Sequence, residues 1–277
     1  MEDRPDPGDA PQGSAMASPE PWNLVADGYA QEIVPWGEHF ADIALELAHL
    51  TAPAHIVDVA TGPGTLALLA ARRGLTVSAL DFSEAMIAAL RRRADEAGLE
   101  IADVRVGDGQ ALPWDDDSFD AAFSMAGLIF FPDRDAGFRE LRRVLRPGRR
   151  AVVSSNADLP PIFLDVLEAI SGLLPDLPLS GGKMPLADAD EFAAEMSAAG
   201  FGDVRIETAH HTIVDPSIEA FWDKTQRAAA PLVLLRNRLG DERWAEIAGE
   251  VLARLRERHG DGPVDEVYVA HLGTGSK

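Results

Sequence analysis

Between residues 55 and 155, short apolar runs alternate with longer segments whose apolar residues recur every three or four positions. The short runs are typical of buried parallel strands, and the longer segments are typical of helices that cover them. Strands are predicted at 55–60, 75–81, 101–108, 118–126 and 149–155, and helices at 65–73, 84–97 and 138–146. This alternation predicts an α/β fold whose parallel sheet has helices on both faces.

The pattern differs on both sides of this core. Residues 1–20 are rich in Pro, Gly, Asp and Ser, and we expect a disordered tail because little apolar surface could be buried there. Helical periodicity over 21–50 is interrupted at Pro35, which predicts two helices or one kinked helix. The later part of the chain predicts helices at 160–179 (ending in a Pro-rich loop) and 189–201, a strand at 201–214, two helices within 216–258 and a last strand at 264–277.

Composition limits the classes of function. The 277 residues carry a net charge of −21, from 25 basic and 46 acidic residues. A phosphate backbone would be repelled by such a field, so we expect no nucleic-acid partner. The chain has no Cys, no apolar run of membrane-spanning length and no basic-then-apolar leader, and we therefore expect a cytoplasmic protein without a membrane span. The spacing of His, Asp and Glu predicts no metal site.

The segment Ile56–Ala71 predicts a nucleotide-binding turn. An apolar strand with Asp58 near its end runs into Gly62-Pro-Gly64, and an apolar helix follows. Glycines permit a turn and a close backbone approach that a Cβ would block, and the helix start directs free N–H groups at a ligand. The same letters also satisfy the relaxed dinucleotide fingerprint G-x-G-x-x-A, so this segment alone leaves the cofactor open.

Polar residues follow the other predicted strands. Asp81, Asp108 and Ser124 lie at the carboxyl ends of the second, third and fourth strands, and Asp81 comes 19 positions after Gly62. In a parallel sheet these ends share one edge, which is where open α/β sheets bind ligands. A carboxylate about 20 residues after the glycine turn is placed to accept hydrogen bonds from ribose hydroxyls.

Together the series VDVATGPGT, LDFSEAM, GDGQALPWDDDSFDAAFS and ELRRVLRPGRRAVVSS resembles the class I S-adenosylmethionine-dependent methyltransferases. It is most similar to the branch of the ubiquinone/menaquinone-biosynthesis C-methyltransferases and other small-molecule methyltransferases. The resemblance is dense over 55–155 and loose over 185–277. It implies a Rossmann-like, doubly wound, mostly parallel seven-stranded sheet with the last strand antiparallel. It also implies one domain over 21–277, with a cofactor-binding core at 55–155 and helical cap elements at 21–50, 156–185 and 215–260.

The resemblance also implies S-adenosyl-L-methionine as cofactor and a set of residues that bind it. These residues are Tyr29, Asp58, Ala60, Gly62, Gly64, Asp81, Phe82, Met86, Asp108, Gly109, Gln110 and Ser124. One departs from the family pattern, because Ala60 stands where the first glycine of the loop is usual. Alanine is small, and we expect binding to be retained.

The implied function is transfer of a methyl group to O, N or C of a small-molecule acceptor. The sulfonium is an activated donor, so orientation matters more than a dedicated base, and catalytic residues are hard to predict. His39, His210 and His211 are the candidates, with at most one of the last two facing the site because neighbours on a strand point to opposite faces. Two alternatives are a non-catalytic cofactor-binding partner or regulator and an NAD(P)-dependent oxidoreductase.

Overall fold

The computed structural model of the chain describes residues 15–175 and 184–277. Its strands are β1 His55–Val59, β2 Thr76–Asp81, β3 Asp103–Val106, β4 Phe119–Met125, β5 Leu145–Asp158, β6 Gly202–Asp215 and β7 Val264–Ser276. They form one sheet in the order β3-β2-β1-β4-β5-β7-β6. Strands β1 to β5 pair in parallel, whereas β7 pairs antiparallel with β5 and β6. The predicted Rossmann-like, mostly parallel seven-stranded sheet with an antiparallel last strand is confirmed.

Helices flank this sheet. They are α1 Pro19–Glu32, α2 Val34–Leu47, α3 Thr65–Arg72, α4 Glu84–Ala97, α5 Arg134–Val144, α6 Pro161–Leu173, α7 Ala189–Ala198, α8 Ile218–Ala228, α9 Ala230–Leu239 and α10 Asp241–His259. The prediction of two helices within 216–258 is wrong, since there are three. Helix α9 was not predicted because no side chain caps its first turn. The one start signal is Pro231, which is suited to the first turn of a helix.

Local chemistry explains several boundaries. The Ser83 side chain accepts a hydrogen bond from the Met86 amide at 3.1 Å, and Gly98 takes a left-handed conformation, so α4 begins and ends where predicted. Helix α5 begins four residues earlier than predicted because Asp133 caps it, accepting from the Ala136 amide at 2.9 Å. Strand β5 begins at Leu145, inside the predicted helix, because Leu145 pairs with Phe119 of β4.

The N-terminal region contains two helices, as the interruption at Pro35 indicates. Pro35 lies in the first turn of α2, where its missing N–H costs nothing. A 3₁₀ turn at Ala15–Ala17 and the start of α1 at Pro19 place regular structure inside the segment expected to be a disordered tail. The rest of that segment, residues 1–14, lies outside the described residues.

Both faces of the parallel sheet are covered. Ile56, Val77 and Ala79 pack against α2, α3 and α4 on one face. On the other face, Val57 and Val59 belong to the cluster that contains apolar side chains of α5 and α7. Because β1, β2 and β4 are covered on both faces, these strands carry mostly apolar runs rather than an alternating pattern, which is why they were predictable.

Strands β5, β6 and β7 have 13 or 14 residues, against 4 to 7 in β1 to β4, and they extend beyond the carboxyl edge of the sheet. Helices α6, α8, α9 and α10 pack around Trp222 beside this extension, in a cluster that also includes Val264 at the start of β7. The helices lie in segments expected to form a cap, although residues 176–183 of that expectation fall outside the described residues. Over the ranges that the structure describes, no helix is long and apolar enough to cross a membrane.

Candidate active site

A cavity of about 480 Å³ lies at the carboxyl edge of the sheet, beneath α1, α2, α6 and α8. Strand order reverses at this edge between β1 and β4, and such a reversal leaves a crevice for ligands in open α/β sheets. One end of the cavity is formed by the loops after β1, β2 and β3. The other end is formed by the long extensions of β5 and β7 together with the cap helices.

The loop after β1 needs residues without large side chains. Ala60, Gly62 and Gly64 have φ values of +56°, +55° and +84°, all in the left-handed region. A Cβ on Gly64 would lie 2.8 Å from Cγ of Leu90, so this position is closed to other residues. Ala60 adopts a conformation that costs a non-glycine residue roughly 1–2 kcal/mol. Ala60 and Gly62 line the cavity, whereas Gly64 packs against α4 and caps α3.

Asp81 joins two of these loops. One carboxylate oxygen accepts from the Gly62 amide at 2.8 Å, and the other accepts from the Ser83 amide at 2.9 Å. The carboxylate therefore holds the glycine loop against the start of α4 while still lining the cavity. Burial raises the pKa of Asp81 to about 6, although its hydrogen bonds with backbone amides work against the shift.

Asp58, on β1, also lines the cavity and is more deeply buried than Asp81. Burial raises its pKa to about 7, and a hydrogen bond from the Thr61 hydroxyl to Oδ2 at 2.6 Å opposes that rise. Its other oxygen, Oδ1, is buried and has no partner among the described residues. A buried acceptor without a donor is costly in a folded protein, so this oxygen suits a ligand that brings a donor.

The loop after β3 is held by its own side chains. Asp108 accepts from the amide and the side-chain nitrogen of Gln110, at 2.8 and 2.9 Å. Gln110 in turn accepts from the Asp133 amide at 2.8 Å, which ties this loop to the start of α5. Several predicted residues join these two along the cavity wall: Tyr29, Phe82, Met86 and Gly109.

A buried polar cluster lies at the other end of the cavity. Glu266 of β7 is 1 % exposed, and Tyr268 donates its hydroxyl hydrogen to Oε2 of Glu266 at 3.0 Å. Lys224 of α8 donates to Oε1 of Glu266 and, at 2.6 Å, to Asp215. The indole of Trp36 stacks on the Tyr268 ring at a centroid distance of 4.2 Å. Lys224, Glu266, Tyr268 and Trp36 all line the cavity.

Sequence comparison relates this chain to known proteins. Residues 56–148 match the family described as methyltransferase domain. A demethylmenaquinone methyltransferase of Thermus thermophilus is 37% identical over 193 residues, which cover 62% of this chain and 83% of that protein. The nocamycin O-methyltransferase of Saccharothrix syringae is 28% identical over 262 residues, covering 86% of this chain and 91% of the relative.

A solved structure of a Bacillus halodurans protein superposes with a TM-score of 0.59 at 17% identity. The match covers 86% of this chain and 98% of that one, and it shows that the fold is shared. With 37% identity over most of a demethylmenaquinone methyltransferase, the family is established. The chain is a class I methyltransferase.

Two residues predicted to bind the cofactor of this methyltransferase do not line the cavity: Gly64, which packs against α4, and Ser124, which lies behind the cavity wall. Ser124 is fully buried inside β4, and its Oγ has no partner in the part of the chain that the structure describes. Met125, Ala126 and Gly127 line the cavity there instead. A Cβ on Gly127 would lie 2.8 Å from the Ser124 Oγ, so the serine packs beneath this turn. The sequence placed the end of β4 correctly but not the direction of this side chain.

The histidine candidates do not line the cavity of the methyltransferase. His39 is exposed and stacks on His211 at a centroid distance of 4.5 Å, while His210 is exposed on the opposite face of β6. His211 pairs with Tyr268 in the sheet and so shares its face, as the alternation predicts for one of the two histidines. Burial, followed by the neighbouring His39, lowers the pKa of His211.

Lys224, Glu266 and Tyr268 line the cavity but are absent from the residues predicted from the sequence. Strand alternation places Glu266 and Tyr268 on one face of VDEVYVAH, and this pattern was the available clue. Lys224 carried no comparable clue, since it lies on a helix whose partner strand is far away in the sequence. Within the described ranges, no group of three or more His, Asp or Glu residues could hold a metal ion.

Proposed function

We propose that this methyltransferase binds S-adenosyl-L-methionine at the β1–β2–β3 end of the cavity and methylates a small molecule at the other end. The observation that carries the proposal is the position of Asp81. It is buried at the end of β2, lines the cavity and already holds the glycine loop through the Gly62 amide. A carboxylate in this place can accept from ribose hydroxyls.

Other residues of the cavity fit the remaining parts of that cofactor. The orphan Oδ1 of Asp58 suits the amino group of the methionine portion, because that group is a donor. Phe82 and Met86 offer apolar contact to an adenine ring, and Asp108 offers an acceptor to its amino group. These roles for Tyr29, Asp58, Ala60, Gly62, Asp81, Phe82, Met86, Asp108, Gly109 and Gln110 remain predictions.

The bound sulfonium would supply an activated methyl group, and the protein supplies orientation and a dry site. Asp81 and the glycine loop hold one reactant, while the strand extensions and cap helices enclose the acceptor. Whether the acceptor atom is O, N or C is set by the far end of the cavity. Cytoplasmic location and the absence of a nucleic-acid partner remain expectations from the sequence.

Calorimetry with S-adenosylmethionine and with NADH tests the cofactor. We expect binding of the sulfonium compound and none of NADH, and tight NADH binding alone would contradict the proposal in favour of the oxidoreductase. Transfer of labelled methyl to a metabolite extract then tests catalysis. If the cofactor binds but no extract yields a labelled product, the non-catalytic binder is the better description.

A further inference from the structure

The polar cluster at the far end of the cavity has no role in binding the cofactor as proposed above. It contains two carboxylates, Asp215 and Glu266, that share one cation, Lys224. All three side chains are buried or nearly so, and the Tyr268 hydroxyl adds a hydrogen bond to the same Glu266. Buried ionic clusters are costly to maintain, and this one borders a cavity rather than the packed core.

We propose that Tyr268 and Glu266 form a proton relay that receives the proton of a neutral acceptor hydroxyl during methyl transfer. The proposal rests on the proposed function. Tyr268 would contact the acceptor and act as the catalytic residue, whereas Glu266 acts through Tyr268. Lys224 is a positioning residue, because it holds Oε1 of Glu266 and leaves Oε2 to the tyrosine.

The surroundings of Glu266 make its carboxylate a better base than an exposed one. Burial raises its pKa to about 7, and the neighbouring Asp215 carboxyl adds to the rise, whereas Lys224 and Tyr268 oppose it. These groups come from β6, α8 and β7. Tyr29 of α1 and His211 of β6 are the next titratable groups, and both lie beside Tyr268 rather than Glu266. A base that titrates near neutral pH is suited to general-base work.

Tyr268 is held in one orientation for this relay. Its ring is stacked beneath Trp36 with an interplanar angle of 28°, and its hydroxyl hydrogen is committed to Glu266. Burial and the neighbouring carboxylates raise the pKa of Tyr268, so the phenol stays protonated. Its oxygen still has a lone pair with which to accept a hydrogen bond from an acceptor hydroxyl.

The step balances without another reactant. As the acceptor oxygen bonds to the methyl carbon, the carbon–sulfur bond breaks and its electron pair stays on sulfur. The acceptor O–H proton passes to the Tyr268 oxygen, and the Tyr268 proton passes to Oε2 of Glu266. The sulfonium charge is lost, the carboxylate becomes a carboxylic acid, and Lys224 keeps its proton throughout.

The cluster also indicates the class of acceptor. With Glu266 ionised, Asp215, Glu266 and Lys224 carry a net charge of −1, so a carboxylate or phosphate next to them would be repelled. The walls beside them are aromatic, formed by Trp36, Phe163 and Tyr268. A flat, uncharged molecule with a weakly acidic hydroxyl, a phenol or an enol, fits both features.

Two probe phenols test the relay. 4-Methylphenol keeps its proton at neutral pH, as tyrosine does with a pKa of about 10, and therefore needs a base. 4-Nitrophenol is largely ionised above neutral pH and needs none. With saturating labelled S-adenosylmethionine and saturating phenol at pH 8, we expect Glu266→Gln to lower kcat for 4-methylphenol by about 10²–10⁴-fold but to leave kcat for 4-nitrophenol within about tenfold. Repulsion of the 4-nitrophenolate by the charged cluster acts on its KM, so kcat is the quantity compared. Tyr268→Phe should show the same split.

The pH profile and a spectroscopic measurement complete the test. Wild-type kcat/KM for 4-methylphenol should rise with pH through about 7, and the profile of Glu266→Gln should be flat. The carboxylic-acid infrared band that titrates near pH 7 should be weaker in Glu266→Gln than in the wild type, because Asp58 contributes to the same band and is unchanged in the variant. Exposed Glu207→Gln is the matched control, and it should change neither measurement.

Three outcomes would overturn the proposal while cofactor binding by calorimetry stays intact. One is an equal loss of methylation activity toward both phenols in Glu266→Gln, which indicates a structural role. Another is a rate of 4-methylphenol methylation in Glu266→Gln that equals that of the wild type. The third is a wild-type enzyme that methylates neither phenol. Absence of cofactor binding would instead refute the proposed function.

Discussion

Replacing Asp81 with asparagine separates the ligand-binding role of this residue from its structural role. The carboxylate accepts from the Gly62 and Ser83 amides, and asparagine offers a single acceptor oxygen for the two. One amide then loses its partner at a cost of about 1–3 kcal/mol. Against this, burial raises the pKa of Asp81 from 3.8 to about 6, so removing the buried charge recovers roughly 3 kcal/mol at neutral pH. The free energy of unfolding should therefore change little.

Cofactor binding has no such compensation. A ribose hydroxyl loses a charged acceptor, which is worth about 1.5–3 kcal/mol, and the dissociation constant should rise roughly 10- to 150-fold. Calorimetry with S-adenosylmethionine at pH 8 measures this, with thermal unfolding of the same samples as the check on folding. An affinity within about twofold of the wild type would refute the reasoning, since a lost charged hydrogen bond exceeds that.

Ser83→Ala is the matched control for Asp81→Asn. It removes the side chain that caps α4 but keeps the Ser83 amide that Asp81 needs. Loss of the cap should destabilise the protein by about 1 kcal/mol. The cofactor affinity should stay within about twofold of the wild type. If both variants lose affinity equally, the effect belongs to the geometry of the loop rather than to the carboxylate.

Three further predictions concern pH and packing. Because the pKa of Asp81 is raised to about 6 and binding favours its carboxylate, the loss of calorimetric affinity for S-adenosylmethionine below pH 6 should be about tenfold per pH unit larger in the wild type than in Asp81→Asn. Any loss that comes from protonation of Asp58, with its pKa of about 7, is common to both proteins. The pKa of Asp58 is raised in the folded state, so its contribution to stability is complete below pH 4 and is lost as pH rises to about 7. The free energy of unfolding of the wild type in urea should therefore decline over this range by a few kcal/mol at most, and that of Asp58→Asn should lack this decline. A wild-type decline equal to that of the variant would contradict this. Gly64→Ala should cost at least 2 kcal/mol more than Gly98→Ala in urea unfolding, because both have positive φ but only Gly64 faces Leu90; equal costs would exclude the clash.

The residues that line the β1–β2–β3 end of the cavity were largely predictable because they follow strands that are recognisable one at a time. Asp81 and Gly62 are 19 positions apart, and a single strand–helix–strand unit brings them into hydrogen-bonding contact. Ser124 shows the limit of this reasoning. Its place near the end of β4 was correct, but the pleat turns its side chain away from the cavity, and the register with β5 was needed to know that.

The far end of the cavity was not predictable in the same way. Glu266 and Tyr268 lie more than 180 positions after Asp81, on a strand that enters the sheet antiparallel between β5 and β6. Lys224 reaches them only because α8 packs beside the extension of that strand. Helix α9 was not predictable for the same reason. Burial of Leu232 and Leu235 in the cap stabilises it, rather than a capping side chain.

By itself, the sequence determined the alternation of strands and helices, the glycine loop and the acids that end β2 and β3. Those features depend on hydrophobic period and on backbone conformations that few residues can adopt, and both are local properties. Only the tertiary structure decided which side chains line the far end of the cavity. Pairing of β7 with β5 and β6, and the packing of the cap on their extensions, join residues distant in the chain. No local pattern encodes that contact, so the far end of the cavity became visible only in the tertiary structure.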